Sequence, residues 1–162
     1  MIRIGVLVSG SGSNLQSIMD ACERGDVDGR VCIVLSNVEG AYALERARKK
    51  GVPTRVISHT DYPDRETFDR ELAKALQDSR VDLVALAGFM RVLTPAFLRQ
   101  FPGRVMNIHP ALLPSFPGLH VRQKAIDHGV RFSGCTVHFV DEGVDSGPII
   151  IQAVVPVYPD DT

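Results

Sequence analysis

Asn107-Ile108-His109-Pro110 and, further on, Asp145-Ser146-Gly147-Pro148 place an amide, an imidazole and a carboxylate in one chain. Together these groups can serve an acyl transfer. Amide and imidazole N–H groups can hold the oxyanion that develops on a carbonyl, and a carboxylate can orient the imidazole. Arg104 to His109 reads as a short buried strand ended by Pro110, and the two-residue period of a strand puts Asn107 and His109 on one face. A polar pair at the end of an apolar strand is costly in a core and natural where a parallel sheet opens onto a ligand crevice. Asp145, in a loop between two later strands, is expected to hydrogen-bond His109, fix its tautomer and favour its charged form. His59, His120, His128 and His138 have no comparable company and read as structural, with His120 and His138 the nearest to the cleft.

The first loop, Ser9-Gly10-Ser11-Gly12-Ser13-Asn14-Leu15, lies between a strand and a helix that reads as starting at Asn14. Glycine-permitted turns and free backbone N–H groups at a helix start make an anion site suited to a phosphate. The other reading is a tight turn that binds nothing. As a dinucleotide fingerprint the loop is defective, because Leu15 stands where a third glycine belongs and the second strand ends in Ser36-Asn37 rather than an acid for ribose. Neither a Walker A pattern nor a G-x-S-x-G elbow is present. A second segment, Ala87-Gly88-Phe89-Met90-Arg91-Val92-Leu93, follows the fourth strand and is either core or the apolar wall of a pocket for a flat ring.

Strand-length apolar runs position these groups: Ile2–Val8, Val31–Leu35, Arg55–Ile57, Val81–Leu86 and Arg104–His109. Helical patterns alternate with them at Asn14–Cys22, at Ala41–Lys50 before Gly51, at Asp64–Gln77 and in a short turn from Thr94-Pro95. Cys135–Val140 and Ile149–Val154 flank a Gly-rich loop and suit an antiparallel extension. The expected fold class is α/β, a doubly wound and mostly parallel sheet with helices on both faces.

The 162 residues, with 44% hydrophobic and 23% charged, suffice for one core without disulfide or metal staples. A net charge of -1 gives no footprint for nucleic acid or an anionic membrane, so neither partner is expected. Cys22, Cys32 and Cys135 read as reduced thiols, and no metal-ligand spacing occurs. With no apolar run of spanning length and no signal peptide, a cytoplasmic protein is expected.

Taken together, Ser9 to Gln16, Ala87-Gly88-Phe89-Met90-Arg91, Asn107-Ile108-His109-Pro110 with Leu112-Leu113-Pro114 and Pro117-Gly118, and Asp145-Ser146-Gly147-Pro148 resemble the phosphoribosylglycinamide formyltransferases, a Rossmann-like family that uses 10-formyltetrahydrofolate. The resemblance runs from Ile2 to Val157. It implies transfer of formyl from 10-formyltetrahydrofolate to the amine of glycinamide ribonucleotide in purine biosynthesis, through a tetrahedral intermediate. In that scheme Asn107 and His109 stabilise the oxyanion and Asp145 tunes His109. Position by position, Gly12, Ser13 and Asn14 correspond to the family's substrate-phosphate loop. Arg65, Met90, Arg91, Val92, Leu93 and Asn107 correspond to folate-site positions, and Asp141, Glu142, Gly143 and Val144 to the segment that holds the pterin through its backbone. The resemblance further implies a single formyltransferase domain over 1–162, small-molecule partners with no metal, and room for a homodimer. A C-terminal helix carrying an acidic contact to the substrate amine is expected beyond Thr162.

Two other classes compete on the sequence. A formyltetrahydrofolate deformylase shares the fold and the trio but would have no use for a phosphate loop. A non-catalytic phosphate-binding module would have no use for Asn107, His109 and Asp145. A methionyl-tRNA formyltransferase would need a basic RNA surface, and the charge balance offers none.

Overall fold

The computed structural model describes residues 1–162, and the chain divides into two compact units, Met1–Val105 and Met106–Thr162. In the first unit, β1 (Ile2–Val8), β2 (Gly29–Ser36), β3 (Thr54–Val56) and β4 (Leu83–Leu86) form parallel pairs β1–β2, β1–β4 and β2–β3. Between them run α1 (Ser13–Arg24), α2 (Tyr42–Lys49) and α3 (Arg65–Asp78), followed by the single turn α4 (Pro95–Leu98). The Val84 N–H donates to the carbonyl of Arg104, the residue just before β5 (Val105–His109). In the second unit β5 pairs antiparallel with β6 (Phe132–Phe139), and β6 with β7 (Ile149–Pro156), while α5 (Val121–His128) joins β5 to β6. The strand order is β3-β2-β1-β4-β5-β6-β7. This is the mostly parallel sheet with an antiparallel extension that the sequence suggested.

Alternation along β1 explains the layering of the first unit. Ile4, Val6 and Val8 share a cluster with Leu15 and Met19 of α1 and with Ala43, Leu44 and Ala47 of α2. Gly5 points the other way, where an added Cβ would meet Leu76 of α3 at 2.6 Å. Helices therefore cover both faces of the strand, which is why it is apolar at every position from Ile4 to Val8. Phe68 of α3 is 1% exposed, a burial that contributes roughly 1.5–3 kcal/mol.

Helix ends follow local chemistry. Asp64 caps α3 by accepting from the Thr67 N–H at 2.7 Å. Behind α2, Gly51 at φ 70° donates to the Arg48 carbonyl, and Val52 donates to Ala47, a Schellman closure. α3 ends the same way, with Arg80 at φ 54° and the Val81 N–H on the Leu76 carbonyl. Val81 is thus consumed in a helix stop, and β4 starts two residues later than its apolar run. The start of α1 also differs from expectation: its N-cap is Gly12 in the left-handed region, and Asn14 lies inside the first turn. No helix is long and apolar enough to cross a membrane.

Candidate active site

Strand register builds the centre of the second unit. β5 and β6 pair Asn107 with His138 and His109 with Thr136, which brings two imidazoles and an amide to one face of the pair. His109 is 4% exposed and His138 2%. The His109 Nε2 lies 2.8 Å from the Phe116 carbonyl oxygen, and its Nδ1 lies 3.5 Å from Asp145 Oδ2. Both ring nitrogens therefore face oxygen atoms, a backbone carbonyl on one side and a carboxylate on the other. The 3.5 Å separation is longer than that of a tight hydrogen bond.

Asp145 is held as firmly as it holds. Its Oδ2 accepts from the Gly118 N–H at 2.8 Å, while Oδ1 lies 3.8 Å from His138 Nε2. Its backbone sits at φ 51°, a left-handed conformation that costs a non-glycine residue energy. His138 presents Nδ1 to the Phe139 carbonyl at 3.0 Å, which assigns the proton to that nitrogen. Its Nε2 is then an acceptor for the Asn107 Nδ2, 3.4 Å away. The sequence reads His138 as structural and near the cleft; its place opposite Asn107 depends on register, which one strand cannot reveal.

Thr136, fully buried, anchors the segment that follows His109. Its hydroxyl donates to the Ala111 carbonyl at 2.7 Å and accepts from the Leu113 N–H and from Gln152 Nε2, both at 3.0 Å. From this root the chain runs to Phe116 and Gly118, the two contacts of His109 and Asp145. The 141–146 loop is closed by Asp141, whose Oδ1 accepts from the Gly143 N–H and the Ser146 hydroxyl, each at 2.9 Å. Asp141, Glu142, Gly143 and Val144 are all exposed. A side chain at Gly147 would collide with the Phe139 carbonyl, so the turn after Asp145 requires glycine.

In the first unit, the Gly12 loop is held from one side. The Gly10 carbonyl accepts from the Ala43 N–H at 3.0 Å, and the Ser11 carbonyl accepts from Arg46 Nε at 2.7 Å. Gly12 itself packs against α2, buried. α1 begins at Ser13 without a side-chain cap, so the N–H groups of its first turn, including those of Ser13 and Asn14, have no intrahelical acceptor. Carbonyls are engaged and N–H groups are open, which is the polarity an anion needs. Asn37, at the position that carries a ribose-binding acid in dinucleotide folds, is 6% exposed and turned inward, accepting from the Ser9 hydroxyl at 2.6 Å.

The segment after β4 is split between surface and core. Met90 and Val92 are 67% and 52% exposed, whereas Leu93 is buried. Arg65 donates to the Val92 carbonyl at 2.7 Å, and the Arg91 guanidinium lies 5.4 Å from the centre of the Phe68 ring. Beneath them Asp69, 3% exposed, accepts from both the N–H and the hydroxyl of Thr94 on one oxygen, at 2.6 and 2.7 Å. Burial pushes the Asp69 carboxyl above the ordinary carboxylate value, and the Thr94 bonds and the nearby Arg65 and Arg91 oppose it. Nothing in its sequence neighbourhood flagged this acid. No group of three or more His, Cys, Asp and Glu residues is arranged to hold a metal ion, and the three cysteines are free. Burial raises the thiols of Cys22 and Cys32.

The profile of the family described as formyl transferase matches residues 2–162. The chain is 53% identical over 161 residues to the trifunctional purine biosynthetic protein adenosine-3 of Drosophila melanogaster, covering 98% of this chain and 12% of that protein. It therefore spans a small fraction of such trifunctional relatives. With the phosphoribosylglycinamide formyltransferase of Escherichia coli (strain K12) it shares 47% identity over 161 residues, covering 99% of this chain and 76% of that one. The crystal structure of glycinamide ribonucleotide transformylase 1 from Symbiobacterium toebii superposes with a TM-score of 0.99 at 56% identity, covering 100% of this chain and 76% of that one. On this match of sequence and fold through both compact units, the chain belongs to the formyl transferase family.

Proposed function

We propose that this chain transfers the formyl group of 10-formyltetrahydrofolate to the primary amine of N1-(5-phosphoribosyl)glycinamide, giving the N-formyl product and tetrahydrofolate in de novo purine biosynthesis. The names of its relatives support the acceptor and the pathway. The observation that carries the chemistry is His109, buried between the Phe116 carbonyl and Asp145 on the strand face it shares with Asn107. Because the family match is continuous, we read the chain as a single formyltransferase domain.

In this reading 10-formyltetrahydrofolate supplies an activated formyl carbon. The amine nitrogen bonds to that carbon, the bond to N10 breaks, and the proton lost by the amine ends on N10. Asn107 has two amide hydrogens, one directed to His138 and one free for the oxyanion. The His109 Nε2–H rests on a neutral carbonyl and exchanges it for the oxyanion, a stronger charge-assisted partner, so the bond strengthens as charge develops. Asp145 orients the imidazole, and His109 relays the proton directly or through water.

The Gly12, Ser13 and Asn14 loop is assigned to the substrate phosphate. Exposed Met90 and Val92, flanked by Arg65 and Arg91, have the chemistry for a flat ring bearing carboxylates. They are assigned to folate with buried Leu93, with Asn107, and with the backbone of Asp141, Glu142, Gly143 and Val144. The test is the absorbance change as 10-formyltetrahydrofolate becomes tetrahydrofolate, with and without the ribonucleotide. Turnover only with ribonucleotide supports the transferase. Equal turnover without it makes the chain a deformylase, and none in either case rejects both.

A further inference from the structure

The carboxyl ends of three strands are tied together by side chains to which the transfer chemistry gives no role. Ser9, the first residue beyond β1, donates its hydroxyl to Asn37 Oδ1 at 2.6 Å and accepts from the Met90 N–H at 2.9 Å. The Ser9 N–H donates to the Gly88 carbonyl at 3.1 Å, where Gly88 at φ 73° allows the chain to turn. Asn37 lies just beyond β2, and its Nδ2 faces His59 Nδ1 at 3.4 Å. His59 in turn meets the Phe68 ring edge-on at 6.2 Å, the same ring over which Arg91 lies. On one side of Ser9 stands the Gly12 loop, and on the other stands the Met90 to Leu93 segment, itself tied to Arg65 through the Val92 carbonyl.

We infer that Asn37 is a positioning residue which, by fixing the Ser9 hydroxyl, makes the phosphate loop and the Met90–Leu93 segment one mechanical unit, so that binding of the ribonucleotide phosphate and binding of the folate reinforce each other. The inference rests on the assignment of those two segments proposed above. Its physical basis is the satisfaction of the Ser9 hydroxyl. A hydroxyl has one hydrogen to give, and Asn37 Oδ1 takes it, which leaves a lone pair aimed at the Met90 N–H. A buried Asn37 with its oxygen engaged by Ser9 and its amide by His59 has no freedom to reorient. An anion that orders the Gly10 to Asn14 loop therefore orders Ser9 and, through it, Met90. The second ligand then meets a segment whose ordering has already been achieved, and the effect is reciprocal.

The test is calorimetric titration of the full chain with glycinamide ribonucleotide, alone and with saturating tetrahydrofolate, which lacks the formyl group and cannot react. The native chain is expected to bind the ribonucleotide at least about 5-fold more tightly with tetrahydrofolate present. Asn37→Ala and Ser9→Ala are expected to bring that ratio to about 1, and Ser9→Thr, which keeps the hydroxyl, to restore it. A ratio unchanged in Asn37→Ala, or a native ratio of 1, overturns the coupling while leaving the transferase reading intact. No ribonucleotide binding to the native chain overturns the transferase reading itself. Should the alanine variants fail to fold, hydrogen exchange at the native Met90 amide decides. Ribonucleotide alone is expected to slow it, and an unchanged rate rejects the coupling.

Discussion

Asn107 Nδ2 and His138 Nε2 face each other at 3.4 Å across the β5–β6 pair, with the other nitrogen of His138 fixed by the Phe139 carbonyl. His138 therefore orients the amide that is proposed to hold the oxyanion. His138→Leu removes the acceptor but keeps an apolar side chain of similar reach. It is expected to lower kcat about 5- to 10-fold, the worth of one modest hydrogen bond, with little change in KM for the ribonucleotide. Steady-state kinetics on both substrates check the split.

Asp145→Asn keeps an oxygen for the Gly118 N–H and removes the charge that faces His109. If a charged imidazole is the working form, kcat falls by roughly 100-fold or more, and His109→Ala does at least as much. Thermal unfolding measured alongside separates lost chemistry from lost structure.

Much of this site was legible in the chain and some was not, for identifiable reasons. Asn107 and His109 advertise themselves because polar residues at the end of an apolar strand are costly without a task. His138 has the same chemistry, but its partner is set by cross-strand register, which a single strand does not encode. Asp69 was hidden because its partner, Thr94, is brought up by tertiary packing. α5 escaped notice because its N-cap, His120, is left-handed and forms no side-chain cap, and because only Val121 and Ala125 are buried on it. Asn14 has the residue type of a cap, yet the close approach of α2 requires glycine at the cap position itself, two residues earlier at Gly12.

That approach makes Gly12→Ala a sharp probe of the phosphate loop. The new methyl would lie 2.5 Å from the Ala43 Cβ and 2.7 Å from its Cα, and the backbone there is at φ 76°. Left-handed strain alone costs on the order of 1–2 kcal/mol, and the Ala43 backbone has no rotamer by which to yield. The loop must shift, so KM for the ribonucleotide is expected to rise at least about 10-fold, with inorganic phosphate losing its power to compete. Substrate kinetics with phosphate as a competitor measure this.

Asp69 gives stability a pH signature. Its folded carboxyl is raised above the ordinary value of 3.8 by burial, so folding favours the protonated form. Its contribution to stability is fully present below that value and is lost as pH rises through the folded pKa. The stability difference between the native chain and Asp69→Asn should therefore move in favour of the native chain as pH is lowered across that window. Urea unfolding of both proteins at a series of acidic pH values checks the slope, and a flat difference contradicts it.

The central claim is that the formyl carbon passes to the ribonucleotide amine at a site organised by His109. Following an isotopically labelled formyl carbon by NMR, from 10-formyltetrahydrofolate in the presence of glycinamide ribonucleotide, tests it most directly. The label is expected in the N-formyl group of the product, with transfer lost in His109→Ala. Label appearing in free formate, or transfer unaffected by that substitution, would contradict the account.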